Sequence, residues 1–168
     1  IEKEIKSRSK LVAREILSVM KTVEQIETEY NQIEALDMDQ PFREEDLTRV
    51  RPHQLVVSAF YLYEDDFKKK GINVDLISIP NEYIRVDFGV AKSAISEIFS
   101  NAIKYCKKNS QLEVYVNTKE NSVEINFEMM SLYFTSEEAS FLSRKSVRGQ
   151  NSNGVPGNGI GLFAVQNY

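Results

Sequence analysis

Glycine is concentrated in one segment of this chain, Gly154-Val155-Pro156-Gly157-Asn158-Gly159-Ile160-Gly161-Leu162-Phe163-Ala164-Val165. Five of the seven glycines lie between Gly149 and Gly161. Glycines at alternate positions leave backbone N–H groups unshielded and permit positive φ angles. A helix predicted to begin at Leu162 adds unpaired N–H donors and the positive end of a helix dipole. The segment therefore predicts a phosphate-binding loop, and a flexible loop before an ordinary helix is the alternative.

Two common nucleotide motifs do not fit this segment. The glycines run G-x-G-x-G, not G-x-G-x-x-G, and a long polar stretch precedes them where a dinucleotide fold has a strand. No Gly-Lys-Ser or Gly-Lys-Thr follows, which excludes a P-loop. A ligand bound here therefore needs a second element to complete its site.

Composition limits the function further. With 168 residues, of which 42% are apolar, the chain has room for one globular domain and an appendage. A net charge of −4 argues against nucleic-acid binding. The single cysteine, Cys106, excludes an internal disulfide, and the single histidine, His53, leaves no His/Cys metal cluster. No apolar run approaches the ~18 residues of a membrane span, so we expect a cytoplasmic fragment whose parent protein can still be membrane-anchored.

The first 36 residues contain neither glycine nor proline and predict a long helix. Apolar residues recur there in alternating steps of four and three, which defines a heptad seam; its members are Val12, Ile16, Val19, Val23, Ile26, Tyr30 and Ile33. A lone helix with this seam is marginal in water, so a partner helix is implied. Homodimerisation is the favoured interpretation, and packing of the helix on its own domain is the alternative.

After a linker around Pro41, the pattern predicts an alternation of strands and helices. Pro52 suits the first position of a helix, Gly71 its C-terminal cap, and Asp87 the N-cap of a second helix. The predicted elements are a short strand at 47–50, a helix from Pro52 to Lys70, strands at 72–79 and 83–86, a helix at 89–106, and a hairpin of strands 112–118 and 123–129. A long polar connection, 131–156, is typical of a functional lid.

The helix at 89–106 has two stripes. One is apolar and predicted to be buried; it comprises Ile95, Ile98, Phe99, Ala102 and Cys106. The other is polar, because residues four and seven apart share a helical face; it comprises Ser93, Glu97, Asn101, Lys104 and Lys108. A carboxylate, an amide oxygen and an ammonium in line suit activation of a hydroxyl, coordination of Mg²⁺ and contact with a phosphate. A merely solvated helix face is the alternative.

Two segments resemble motifs of the GHKL ATPase superfamily, which includes histidine kinases, type II topoisomerases, MutL and heat-shock chaperones. Residues 97–105, EIFSNAIKY, resemble its N-box, and residues 157–162, GNGIGL, resemble its second glycine box. The heptad helix and the Lys104-Tyr105 pair favour the histidine-kinase branch. The resemblance implies an α+β fold, a two-layer sandwich of the Bergerat type in which helices cover one face of a mixed sheet. Residues 1–40 would form a dimerisation and phosphotransfer helix, and 41–168 a C-terminally incomplete ATP-binding domain.

The resemblance also implies roles for individual residues. Asn101 would bind Mg²⁺, Lys104 would contact a phosphate, Tyr105 would pack near the base of ATP, and Glu97 would polarise the attacking nucleophile. The phosphates would be wrapped by Gly157, Gly159, Gly161 and Leu162, with lid cations approaching the γ-phosphate from Arg144, Lys145 and Arg148. The implied partners are a second copy of the chain, an upstream phosphoacceptor helix and a response-regulator receiver domain. The implied activity is ATP-dependent phosphorylation of a histidine.

Three departures from the family pattern keep a second interpretation open. By this resemblance, Met129 occupies the place of the aspartate that binds the adenine amine, and no phosphoacceptor histidine lies on the heptad helix. We also expect the last strands of the fold to be missing from the sequence up to Tyr168. Without the aspartate, the charge-assisted hydrogen bond to the adenine amine is lost, which weakens the binding free energy by about 1.5–3 kcal/mol. A pseudokinase that keeps the fold and binds nucleotide weakly is therefore the alternative. An ATPase of the mismatch-repair or topoisomerase kind is disfavoured by the heptad helix.

Overall fold

The computed structural model of the chain describes residues 2–36, 44–77, 82–120 and 122–131, together with Thr135, Glu137, Arg144, Leu162 and Val165. Its elements are α1 (Glu2–Leu36), β1 (Leu47–Val50), α2 (Pro52–Lys70), β2 (Asn73–Ile77), β3 (Ile84–Asp87), α3 (Phe88–Tyr105), β4 (Gln111–Thr118) and β5 (Val123–Met129), with a 3-10 turn at Glu44–Asp46. The predicted order is confirmed, and the strand predicted at 72–79 spans Asn73–Ile77, with 78–80 outside the described residues.

The main sheet is mixed, as predicted. Strand β2 runs parallel to β4, and β4 pairs antiparallel with β5. Alternate residues of β4 point to one face, and Leu112, Val114 and Val116 on that face are buried. Helices α2 and α3 belong to the same core, so they cover this face. Strands β1 and β3 form a separate antiparallel ladder.

Aromatic side chains fill the layer between the helices and the sheet. Phe99 of α3 has no exposed surface, and its ring lies edge-on to Phe67 of α2 and Phe127 of β5, with centroid distances of 5.8 and 5.4 Å. Gly71 ends α2 in the left-handed conformation (φ 71°, ψ 26°), as predicted from its position. These contacts fix α3 against the sheet through its apolar stripe.

Helix α1 lies on the domain through polar residues and leaves its apolar seam open. The described seam residues from Val12 to Tyr30 are all exposed, Val19 by 63%. The opposite side of the helix packs against α3 and α2, and there Glu24 and Thr28 are each only 5% exposed. Packing on the domain, the alternative interpretation of this helix, therefore occurs through a different face from the heptad seam. Among the described residues, no helix has both the length and the apolar character of a membrane span.

Candidate functional site

Helix α3 carries the N-box residues, and both of its ends are fixed. At the start, the Asp87 carboxylate accepts a hydrogen bond of 3.1 Å from the Val90 N–H, which confirms the predicted N-cap. At the end, the Lys70 ammonium donates to the carbonyl oxygens of Ile103 and Lys104. A cation at a helix C-terminus is favourable for the dipole. Burial lowers the pKa of Lys70, as expected for an ammonium partly removed from water.

The apolar stripe of α3 is confirmed by burial. Ile95, Phe99, Ala102 and Cys106 are buried, and Ile98 is half-buried. The predicted polar stripe is only partly correct, because Ser93 is buried at 3% exposure. Helix α1 packs along this part of α3, which the sequence pattern of α3 alone does not reveal. The residues of α3 with predicted roles at the site are half-buried: Glu97, Asn101, Lys104 and Tyr105.

The Tyr63 ring of α2 lies at the junction of the three helices, beside Lys21 of α1 and Phe99 of α3. The pKa of the Tyr63 phenol is raised, first by burial and then by the negative charges of Glu97, Glu24 and Asp66. Glu24 belongs to α1, Tyr63 and Asp66 to α2 and Glu97 to α3, so carboxylates of all three helices act on this phenol. Among the described residues, no group of His, Cys, Asp and Glu side chains is arranged to hold a metal ion.

Two charged contacts hold this junction together. The Glu24 carboxylate accepts hydrogen bonds from the Lys92 ammonium and, at 3.1 Å, from the Ser96 hydroxyl, which is 1% exposed. The Lys21 ammonium pairs with Asp66 and lies 4.9 Å from the centroid of the Tyr63 ring. Burial would raise the pKa of Asp66, but hydrogen bonds and charges from Lys21 and Lys69 outweigh it and lower that pKa. Helical periodicity does not reveal this cluster, because a charged position off the apolar seam is expected to be solvated.

Met129 lies where the end of β5 meets the end of α3. It is opposite Leu112 in the β4–β5 register, half-buried, and on the face of the sheet that the helices cover. The Lys107 N–H donates to the Met130 carbonyl oxygen at 2.8 Å, and a β-bridge joins Cys106 to Ser131. The strand end that departs from the family pattern is thus tied directly to the helix that carries Asn101.

An open depression of about 570 Å³ adjoins Met129 and Met130. Among its described lining residues, none belongs to the predicted set on α3. The structure brings Glu97, Asn101, Lys104 and Tyr105 together on one helix.

The second half of the predicted site falls largely on residues that are not described. Gly157, Gly159, Gly161, Lys145 and Arg148 lie outside the described residues. Leu162 has helical backbone, and its side chain is 38% exposed. Whether the glycine segment faces Asn101 stays a prediction.

No protein-family model matches the chain, and no curated protein matches it in sequence. Similarity appears in solved structures. The histidine kinase AdeS of Acinetobacter baumannii has a TM-score of 0.60 at 14% identity, covering 94% of this chain and 71% of that one. The structure of full-length ShkA in complex with AMPPNP has a TM-score of 0.67 at 16% identity. The match covers 92% of this chain and 33% of the ShkA chain.

A third neighbour is the mycobacterial sensor histidine kinase MprB, with a TM-score of 0.59 at 16% identity, covering 71% of this chain and 76% of that one. At such low identity the likeness establishes architecture, and it agrees with the order of elements and with the mixed sheet described above. The chain has the same fold as these histidine-kinase structures.

Proposed function

We propose that this chain is the ATP-binding region, with part of the dimerisation helix, of a two-component sensor histidine kinase. It would transfer the γ-phosphate of Mg-ATP to a histidine outside the fragment, for relay to a response-regulator receiver domain. The observation that carries the proposal is the placement of Glu97, Asn101, Lys104 and Tyr105 on one helix that is fixed at both ends against a sheet of the histidine-kinase type. Similarity to ShkA, whose structure contains AMPPNP, supports nucleotide binding.

The residues present suit Mg-ATP. The Asn101 amide oxygen is a ligand type that Mg²⁺ accepts, usually together with waters and substrate phosphates. Lys104, one turn further along α3, would meet phosphate oxygens, while Tyr105 would pack near the base. Gly157, Gly159, Gly161 and Leu162 would offer backbone N–H groups to the phosphates. Arg148 would approach the γ-phosphate from the lid.

Phosphoryl transfer depends chiefly on positioning and charge neutralisation, so this set of side chains is sufficient in principle. Glu97 would orient and polarise the attacking imidazole.

Transfer of radiolabel tests the proposal. The folded chain is mixed with labelled Mg-ATP and a separately supplied phosphoacceptor helix of a histidine kinase. We expect label on the acceptor from the wild type and none from Asn101→Ala, with Asn117→Ala, at an exposed position near the end of β4, as the matched control. Absence of transfer by a chain shown to be folded would count against a kinase.

The alternative, a pseudokinase that binds nucleotide weakly, is favoured by one observation, the methionine at position 129. If Met129 lies against the base, Met129→Asp restores a hydrogen-bond acceptor, and we expect ATP affinity to rise at least about tenfold. Met130→Asp, one residue further and exposed, is the control that changes charge equally. If wild type and Met129→Asp bind ATP with equal affinity, Met129 does not contact the base. The observation that favours a pseudokinase would then no longer apply.

A further inference from the structure

The β1–β3 ladder presents a cluster of arginines on one face. Arg49 and Arg85 are direct partners in the register, and Arg51 and Tyr83 follow on the same side because strand side chains alternate. All four side chains are exposed, Tyr83 by 51%. The guanidinium carbons of Arg49 and Arg51 lie 4.8 and 5.0 Å from the centroid of the Tyr83 ring. We call these four residues the arginine face.

The positions of these arginines are electrostatically unfavourable within the chain. Like charges directly opposite each other on a ladder are destabilising, as Arg49 and Arg85 are. Arg51 is the N-cap of α2, a position where a negative or hydrogen-bond-accepting side chain is favoured, and the first turn of α2 contains no acidic residue. The ladder is held from its other side, where Val50 is buried in the core.

The three guanidinium groups also form no ion pair in the described part of the protein. No ion pair there involves Arg49, Arg51 or Arg85, although Glu82 precedes Tyr83 in the chain. The chain as a whole carries a formal charge of −4. A bound anion would neutralise this local group of three exposed cations.

We propose that the arginine face binds an acidic segment of another protein. Guanidinium groups match carboxylates through two parallel hydrogen bonds, and Arg and Tyr are enriched among the residues that dominate protein–protein affinity. A nucleic acid or an anionic membrane is a poorer fit, because both are bound by an extended basic surface, whereas the arginine face is one local cluster. The proposal does not depend on the kinase function.

Fluorescence anisotropy with a labelled hexaglutamate peptide at low salt tests this interface. We expect saturable binding to the wild type and at least about 100-fold weaker binding to Arg49→Gln/Arg85→Gln, because breaking one charge-assisted hydrogen bond weakens binding about tenfold. Lys3→Gln/Lys10→Gln removes the same charge from exposed positions of α1 and should change affinity by less than about twofold.

Two further measurements test whether the residues of the arginine face act in binding or only stabilise the fold. Tyr83→Phe should keep the affinity and Tyr83→Ala should lower it, because the ring supports the guanidinium groups. The melting temperature of Arg49→Gln/Arg85→Gln should equal or exceed that of the wild type. The proposal is overturned if both double variants weaken binding equally, if the melting temperature falls with Arg49→Gln/Arg85→Gln, or if anionic vesicles or an oligonucleotide bind while hexaglutamate does not.

Discussion

The two sides of α1 reverse the usual arrangement of a surface helix. The side against the domain carries Lys21, Glu24 and Thr28, while the side in solvent carries the heptad seam, with Val19 and Ile26 more than 60% exposed. At about 100° per residue, the centres of the two sides lie roughly 150° apart. Charged groups that leave a polar interface are hydrated again by water. Exposed aliphatic side chains, in contrast, are stabilised only when an apolar partner removes them from water. We therefore propose that the helix makes two contacts, a polar one with its own domain and an apolar one with a partner helix.

The seam side should show the largest effect. Val19→Asp/Ile26→Asp places carboxylates where we propose a helix of a second copy packs, and we expect the dimer to weaken at least about 100-fold, because each aliphatic side chain contributes about 1.5–3 kcal/mol when buried. Sedimentation equilibrium of the wild type and the variant measures this. Lys10→Asp, on the opposite side of the helix, should leave the dimer intact. A wild type that is monomeric at high concentration would contradict homodimerisation through the seam.

The domain side should respond to loss of Glu24. Glu24→Ala leaves Lys92 and the buried Ser96 hydroxyl without their acceptor, and we expect the free energy of unfolding to fall by about 2–3 kcal/mol. Urea unfolding followed by circular dichroism measures this, with Glu27→Ala, an exposed neighbour, as the control. If Glu24→Ala and Glu27→Ala unfold alike, the contact between α1 and α3 does not exist in solution.

A smaller effect is expected from the second ion pair of that side. Lys21→Ala should lower the free energy of unfolding by about 1 kcal/mol near neutral pH. The effect is small because Lys21 and Asp66 are both partly solvated. The pKa of Asp66 is lowered in the folded state, so its contribution is present above its unfolded pKa of about 4 and is lost as pH falls further. The difference in unfolding free energy between wild type and Lys21→Ala should therefore shrink in acid. A difference that grows below about pH 4 would show that the assigned pair is wrong.

Sequence patterns predict the structural features that depend on residues close together in the chain. The cap at Asp87, the glycine that ends α2, the hairpin around Lys119 and the burial of Phe99 all follow from local rules, and the structure confirms them. The helix α1 and the apolar stripe along it also follow from local spacing, whereas pairing through that stripe stays a prediction.

Features that depend on distant parts of the chain were missed. Glu24 reaches Lys92 and Ser96, far along the chain, and nothing in its own helix distinguishes it from a solvated glutamate. For the same reason Ser93 was predicted on a solvated stripe although it is buried. The parallel pairing of β2 with β4 and the opposition of Arg49 and Arg85 are likewise set by tertiary packing. The glycine half of the candidate site lies outside the described residues and stays a prediction.

Nucleotide binding is the central claim, and calorimetric titration of the chain with ATP in the presence and absence of Mg²⁺ tests it most directly. The proposed function predicts saturable binding below millimolar ATP that requires Mg²⁺ and is lost in Asn101→Ala but kept in Asn117→Ala. No heat of binding to the folded wild type at millimolar ATP, with or without Mg²⁺, would contradict it.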